Sequence, residues 1–194
     1  MSFDPLYLFV FAGLFTPGPN VVLLIASGIR FGFRASLPHI IGVASGVGVT
    51  AGLTGLGIAA ALLAQPALAL ALRIAAATWI LYLAWKLFRA IRKPDPSRED
   101  KPFTFAQAVL FQWVNPKVWA VAVAAAAGFG MGGTPIQEAV RLASAFAGIN
   151  LFVCIFYAGL GGFLNVHLKN ERSYRLLMTV LAGLMALSAL LIFL

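Results

Sequence analysis

The chain has 194 residues, of which 61% are apolar and only 10% charged, with a formal net charge of +8. Soluble domains carry about a quarter charged residues, so the composition excludes a water-soluble fold and points to an all-α integral membrane protein. The positive charges sit in short loops between apolar segments, with no basic stripe of interleaved aromatics, which argues against a nucleic-acid surface and for partnership with a lipid bilayer.

Apolar segments long enough to cross about 30 Å of hydrocarbon fall at roughly 3–29, 38–64, 66–90, 106–127, 139–165 and 174–194. The first is preceded by Asp4 rather than a basic region, so it is expected to stay in the protein and not be cleaved as a leader. Within it lies Thr16-Pro17-Gly18-Pro19-Asn20. Two prolines two apart remove two backbone donors, so a regular helix cannot run through, and Gly18 relaxes the chain between them. A helix restarting after Pro19 would offer Asn20 and a positive dipole end to a substrate carboxylate. A plain proline kink is the alternative.

The second span carries Gly42, Gly46, Gly48, Gly52, Gly55 and Gly57 around Thr50 and Thr54, spacings that let helices approach closely. Thr50 matters for its depth, although a threonine often bonds its own helix. Gln65-Pro66 marks a short turn into the third span, whose Trp79, Tyr82 and Trp85 suit packing or the membrane interface. A polar run from Arg92 to Pro102 then connects two halves.

The fourth span contains Asn115-Pro116-Lys117. Counted from Phe105, Lys117 lies about twelve residues in, roughly 18 Å along a helix. A lysine at that depth marks a functional site facing the protein interior; the alternative is a later helix start, with the side chain snorkelling to the interface. In the fifth span Asn150 needs partners that a neighbouring helix or a substrate could supply, and Tyr157 lies two turns further on the same face.

All of the 14 Lys and Arg except Arg73, Lys117 and Arg141 fall in the first loop, the central connector and the fifth loop or at their edges. Positive-inside bias puts those segments in the cytoplasm and both termini outside. A five-span arrangement with a cytoplasmic N-terminus is the rival. Six spans divide into a first three-helix repeat (1–91), a cytoplasmic connector (92–105) and a second repeat (106–194), of opposite orientation. Each half opens with a broken span, and Thr50 follows Pro17 by 33 residues as Asn150 follows Pro116 by 34. Inverted repeats with paired broken helices place a transporter's site near the midplane.

Enzyme chemistry finds no footing. Cys154 is alone, His39 and His167 are isolated, no metal cluster or cofactor motif exists, and no histidine matches Ser27, Ser45 or Ser144 in depth. No catalytic residue is assigned. The candidate substrate-binding residues are Pro17, Gly18, Pro19, Asn20, Thr50, Asn115, Pro116, Lys117, Asn150 and Tyr157.

The ordered pair of motifs, Thr16-Pro17-Gly18-Pro19-Asn20 with Gly32-Phe33-Arg34 and then Asn115-Pro116-Lys117, resembles the lysine-exporter superfamily over essentially the whole chain, in particular its homoserine/threonine exporter branch. The resemblance implies export of amino acids or close derivatives across a bacterial inner membrane, driven by a proton or ion gradient. Many members carry a charged or titratable residue near Thr50 and an acidic one near Asn150; here both are neutral. Small neutral amino acids therefore fit better than cationic ones. Export of another small solute is the nearest alternative, and a non-transporting membrane scaffold of the same fold is a third. The small-residue surface permits a homodimer.

The charge asymmetry generates a topology prediction. Reporter fusions at Asp95 should read cytoplasmic and fusions after Leu194 periplasmic; a cytoplasmic C-terminus would refute the six-span orientation.

Overall fold

Prolines decide where the helices of this chain start and stop. The computed structural model describes residues 4–58, 64–89, 101–167 and 170–193. Asp4 caps the first helix, its carboxylate accepting from the Leu6 amide at 3.0 Å with Pro5 in the first turn. That helix, α1 (Pro5–Phe15), stops at the Pro17-Gly18-Pro19 break, and α2 (Pro19–Ala35) restarts at 61° to it. The fourth span repeats the device. Thr104 and Gln107 form a reciprocal capping box that starts α5 (Phe105–Trp113). Asn115-Pro116 ends it, and α6 (Pro116–Phe129) leaves at 62°.

Between these bent pairs run α3 (Leu37–Gly55) and α4 (Pro66–Arg89); after them come α7 (Pro135–His167), α8 (Glu171–Leu190) and a 3-10 turn, Leu191–Phe193. Among the described residues four unbroken helices are long and apolar enough to cross a membrane, or up to six spans if each bent pair counts as one. One expected boundary moves. The first span was read as ending at 29, before a loop bearing Arg30 and Arg34, but α2 continues to Ala35 and only Ser36 separates it from α3. Gly32 explains the difference: with φ at 79° it redirects the chain inside the helix, so the turn needs no polar loop. Residues 59–63 of the second span, 90–91 at the end of the first repeat and 92–100 of the expected connector lie outside the described residues.

The long α7 is the axis of the bundle, packed along α2 and α3 and touching α1 and α6. Glycines set these distances. A methyl group on Gly28 would stand 2.2 Å from the Ala158 carbonyl, and one on Gly161 would stand 2.2 Å from the Ile25 carbonyl, so α2 and α7 meet backbone to backbone. The glycines of α3 divide between two neighbours. Gly42 and Gly46 face α5, while Gly48 and Gly55 face Ala147 and Ala139 of α7. A second core joins α2, α4 and α8 through Ile80, Leu83, Met178, Leu181 and Met185. The outward face carries Leu8, Phe88, Leu110, Phe163 and Leu176, an apolar surface suited to lipid.

Gly161→Ala should therefore lower stability by about 1–3 kcal/mol through overpacking. Gly183→Ala, in α8 where an added Cβ would meet open space, should be neutral or stabilising. Thermal unfolding of both variants in detergent checks the contrast.

Candidate functional site

The site grows out of carbonyls that the prolines strand. In an unbroken helix the carbonyls of Gly13, Phe15 and Thr16 would accept from the amides of residues 17, 19 and 20. Residues 17 and 19 have no N–H, and the bend carries residue 20 away. Each carbonyl finds a side chain instead. Gly13 takes the Thr16 hydroxyl at 2.8 Å, Phe15 takes the Tyr157 hydroxyl of α7 at 2.8 Å, and Thr16 takes the Lys117 ammonium of α6. The same ammonium lies 3.5 Å from the Pro17 carbonyl. In lipid, such groups must be satisfied inside the protein, and here one broken span supplies the donor for the other. Gly18 makes this possible, since a methyl group there would come within 2.9 Å of the Lys117 side chain.

A second set of contacts ties the breaks through amides. Asn20 and Gln112 form a reciprocal pair, Asn20 Nδ2 donating at 2.8 Å and Gln112 Nε2 returning at 3.2 Å. Gln112 Nε2 also donates to the Ala108 carbonyl at 2.9 Å, and Asn115 Nδ2 approaches Gln112 Oε1 at 3.5 Å. Around the breaks, Asn115 Oδ1 and Asn150 Nδ2 are buried without a hydrogen-bond partner.

These groups surround one small cavity lined by Gly18, Asn20, Asn115, Lys117 and Asn150, with Leu14, Val21, Leu24, Val118 and Val153 as its apolar wall. Its volume of about 10 Å³ is close to the space one water needs. As it stands the space has no room for an amino acid. Both α2 and α6 start at this cavity without a side-chain cap bond. Two positive dipole ends, an ammonium and an unused amide N–H2 converge there, an arrangement that favours a carboxylate.

Of the residues expected from the sequence, the structure brings Gly18, Asn20, Asn115, Lys117 and Asn150 onto one cavity. Pro17, Pro19 and Pro116 do not line it and act by shaping the backbone around it. Tyr157 stands beside it, spent on the Phe15 carbonyl. Thr50 does not reach it: the residue is fully buried and its hydroxyl donates to the Gly46 carbonyl of its own helix at 3.0 Å. Gln112 is the residue the sequence reading missed. It is an amide in the middle of an apolar span, and the reasoning applied to Asn150 would have found it.

A family model described as "LysE type translocator" matches residues 11–194. Similar curated proteins include the cysteine/O-acetylserine efflux proteins of Escherichia coli (strain K12) and Shigella flexneri serotype 5b (strain 8401), each 34% identical over 104 residues. Those alignments cover 53% of this chain and 52% of each relative, so the match spans about half of the relatives' length. No solved structure matches the chain.

The amide pair can be tested apart from any activity. Gln112→Leu, which leaves the Asn20 amide without its partner, should cost about 1–3 kcal/mol, whereas the double variant Asn20→Leu/Gln112→Leu should recover part of that loss. Apparent melting temperatures of the two single variants and the double variant decide it.

Proposed function

Because the chain belongs to the LysE-type translocators, membrane carriers rather than enzymes, we propose that it exports small neutral amino acids or close derivatives from the cytoplasm. In this reading it is a secondary transporter of a bacterial inner membrane, coupled to the proton gradient and built from two inverted three-helix repeats with both termini outside. The observation that carries the reading is the Lys117 ammonium resting on the carbonyls of the other broken span, beside two uncapped helix starts. The near-equal bends of 61° and 62° support the repeat.

The substrate's carboxylate would take the ammonium from the carbonyls of Thr16 and Pro17, and the Asn150 amide, unpartnered here, would donate to it. The substrate's side chain would then meet the Leu14, Val21 and Val153 wall, which suits a small uncharged group. Among the described residues the acidic side chains are Asp4, Glu138 and Glu171, all at helix starts. No carboxylate is therefore at hand to hold a cationic side chain, and cysteine or O-acetylserine, named for the relatives, is compatible with such a cavity. Lys117 is the titratable group on the cavity wall, which makes it the candidate for proton coupling.

Lys117→Met keeps the stem and removes the charge. With protein levels matched, it should reduce cysteine and O-acetylserine efflux from cells at least about tenfold, the loss expected when a charge-assisted contact goes. Lys117→Arg should not restore full export, because a planar fork does not replace a compact point charge. Near-parental efflux by the methionine variant would remove Lys117 from the site.

A further inference from the structure

The carbonyls freed by the first break divide between two kinds of donor. Those of Gly13 and Phe15 take the neutral hydroxyls of Thr16 and Tyr157, whereas Thr16 and Pro17, adjacent in the chain, share one ammonium. These two carbonyls lie at the C-terminal end of α1, the negative end of its dipole, and unwound carbonyls at such an end are a setting for a cation. The cation here belongs to the chain itself.

Lys117 is placed against the field of its own helix. It is the second residue of α6, at the positive end of that helix, and α2 starts beside the same cavity with the same polarity. Among the described residues the acidic side chains pair with Arg141 and Arg175, and the partners of the Lys117 ammonium are carbonyls. The fit is steric as well. A methyl group on Gly18 would stand 2.9 Å from Lys117 Cδ and 3.3 Å from Nζ, so stem and head ride directly over that residue. Two carbonyls without a carboxylate are too few oxygens for a hard divalent ion, which takes roughly six or more. An ammonium has three N–H donors and spends two of them here.

We propose that the Thr16 and Pro17 carbonyls form a binding site for a primary ammonium, filled in this conformation by Lys117 as a tethered occupant and filled by the α-amino group of the substrate once the lysine turns to its carboxylate. The second step follows from the first. A lysine drawn to the carboxylate leaves two carbonyls bare, and in lipid they must be satisfied again. The amino and carboxylate groups of an amino acid hang from one carbon, so the group that replaces the lysine arrives with the group that displaces it. The substrate class is thereby narrowed to zwitterions with a free amine. This exchange rests on the export reading above, while the ammonium site does not.

The test empties the site and refills it. The full chain carrying Lys117→Ala, purified in neutral detergent, is melted against propylammonium, which restores the removed atoms, with tetramethylammonium and sodium as controls at equal ionic strength. Propylammonium should raise the melting temperature saturably in the variant and not in the parent, whose site is taken. Tetramethylammonium, which has no N–H, should act at least about tenfold more weakly, the loss expected when a charge-assisted bond goes. Lys117→Met with the ammonium ion itself serves if the alanine variant does not fold, since the methionine stem leaves room for the head alone. No rise in the variant, an equal rise in the parent, or an equal effect of tetramethylammonium or sodium would overturn the site. The exchange is read separately, in proteoliposomes of the parent loaded with O-acetylserine or its isomer N-acetylserine, at mildly acidic pH where the acetyl group does not migrate. O-acetylserine should leave and N-acetylserine should stay. Equal export of both would overturn the exchange. Export of neither, beside an intact ammonium effect, would sink the export reading and leave the site standing.

Discussion

The constraint on which the rest depends is that a backbone carbonyl freed within a membrane must find its donor inside the protein. Pro17 and Pro19 free carbonyls that no following amide can reach, and the chain answers with the Tyr157 hydroxyl and the Lys117 ammonium. Both donors come from elements distant in sequence, α7 and α6. The break is thus a long-range staple as well as a local defect. It fixes α1 against the second half of the chain and places a cation where two helices begin.

The same constraint accounts for the glycines. A lysine laid across a broken helix needs room above the backbone, and Gly18 provides it. The helices carrying the two breaks must also meet the central α7 and α3 closely enough for short side chains to reach. Gly28 against Gly161, and Gly46 against the Gln112 stem, provide that approach. Replacing any one of them pushes apart elements whose polar groups have no water to fall back on. The Asn20–Gln112 pair then locks the register between α2 and α5 with two hydrogen bonds of opposite direction.

Much of this was legible from residue type alone. Prolines inside apolar spans dictate breaks whatever surrounds them, so both bent spans followed, and of the two readings left open for Lys117 the contact with the Thr16 carbonyl is the one that faces protein. Direction was harder to read. Thr50 is buried at 0% exposure, yet its hydroxyl turns back to Gly46, because a helical threonine can satisfy itself while an amide cannot. Depth in a span says how costly a polar group is, not which cavity it enters. Gln112, one turn before Asn115-Pro116, bears the same cost as Asn150, but its partner Asn20 is 92 residues away and no local pattern announces the pair. The end of α2 was misplaced because a single glycine with positive φ turns the chain without any polar loop to announce it.

At the end of the bundle where α1 begins, a different interaction takes over. Arg141 of α7 donates to Asp4 at 2.7 Å, to Glu138 at 3.3 Å and to the Phe129 carbonyl that ends α6 at 2.7 Å, while Glu138 also accepts from the Met131 amide at 2.7 Å. The guanidinium holds the Asp4 carboxyl below its usual range, with the Leu6 amide helping. One side chain therefore gathers the start of α1, the end of α6 and the body of α7, the half-helices that the two breaks set at an angle. The pair is partly buried, with Asp4 at 31% and Arg141 at 18% exposure, so it stands between a screened surface pair and a fully desolvated one. Arg141 thus holds the start of α1, while Lys117 and Tyr157 hold its broken end.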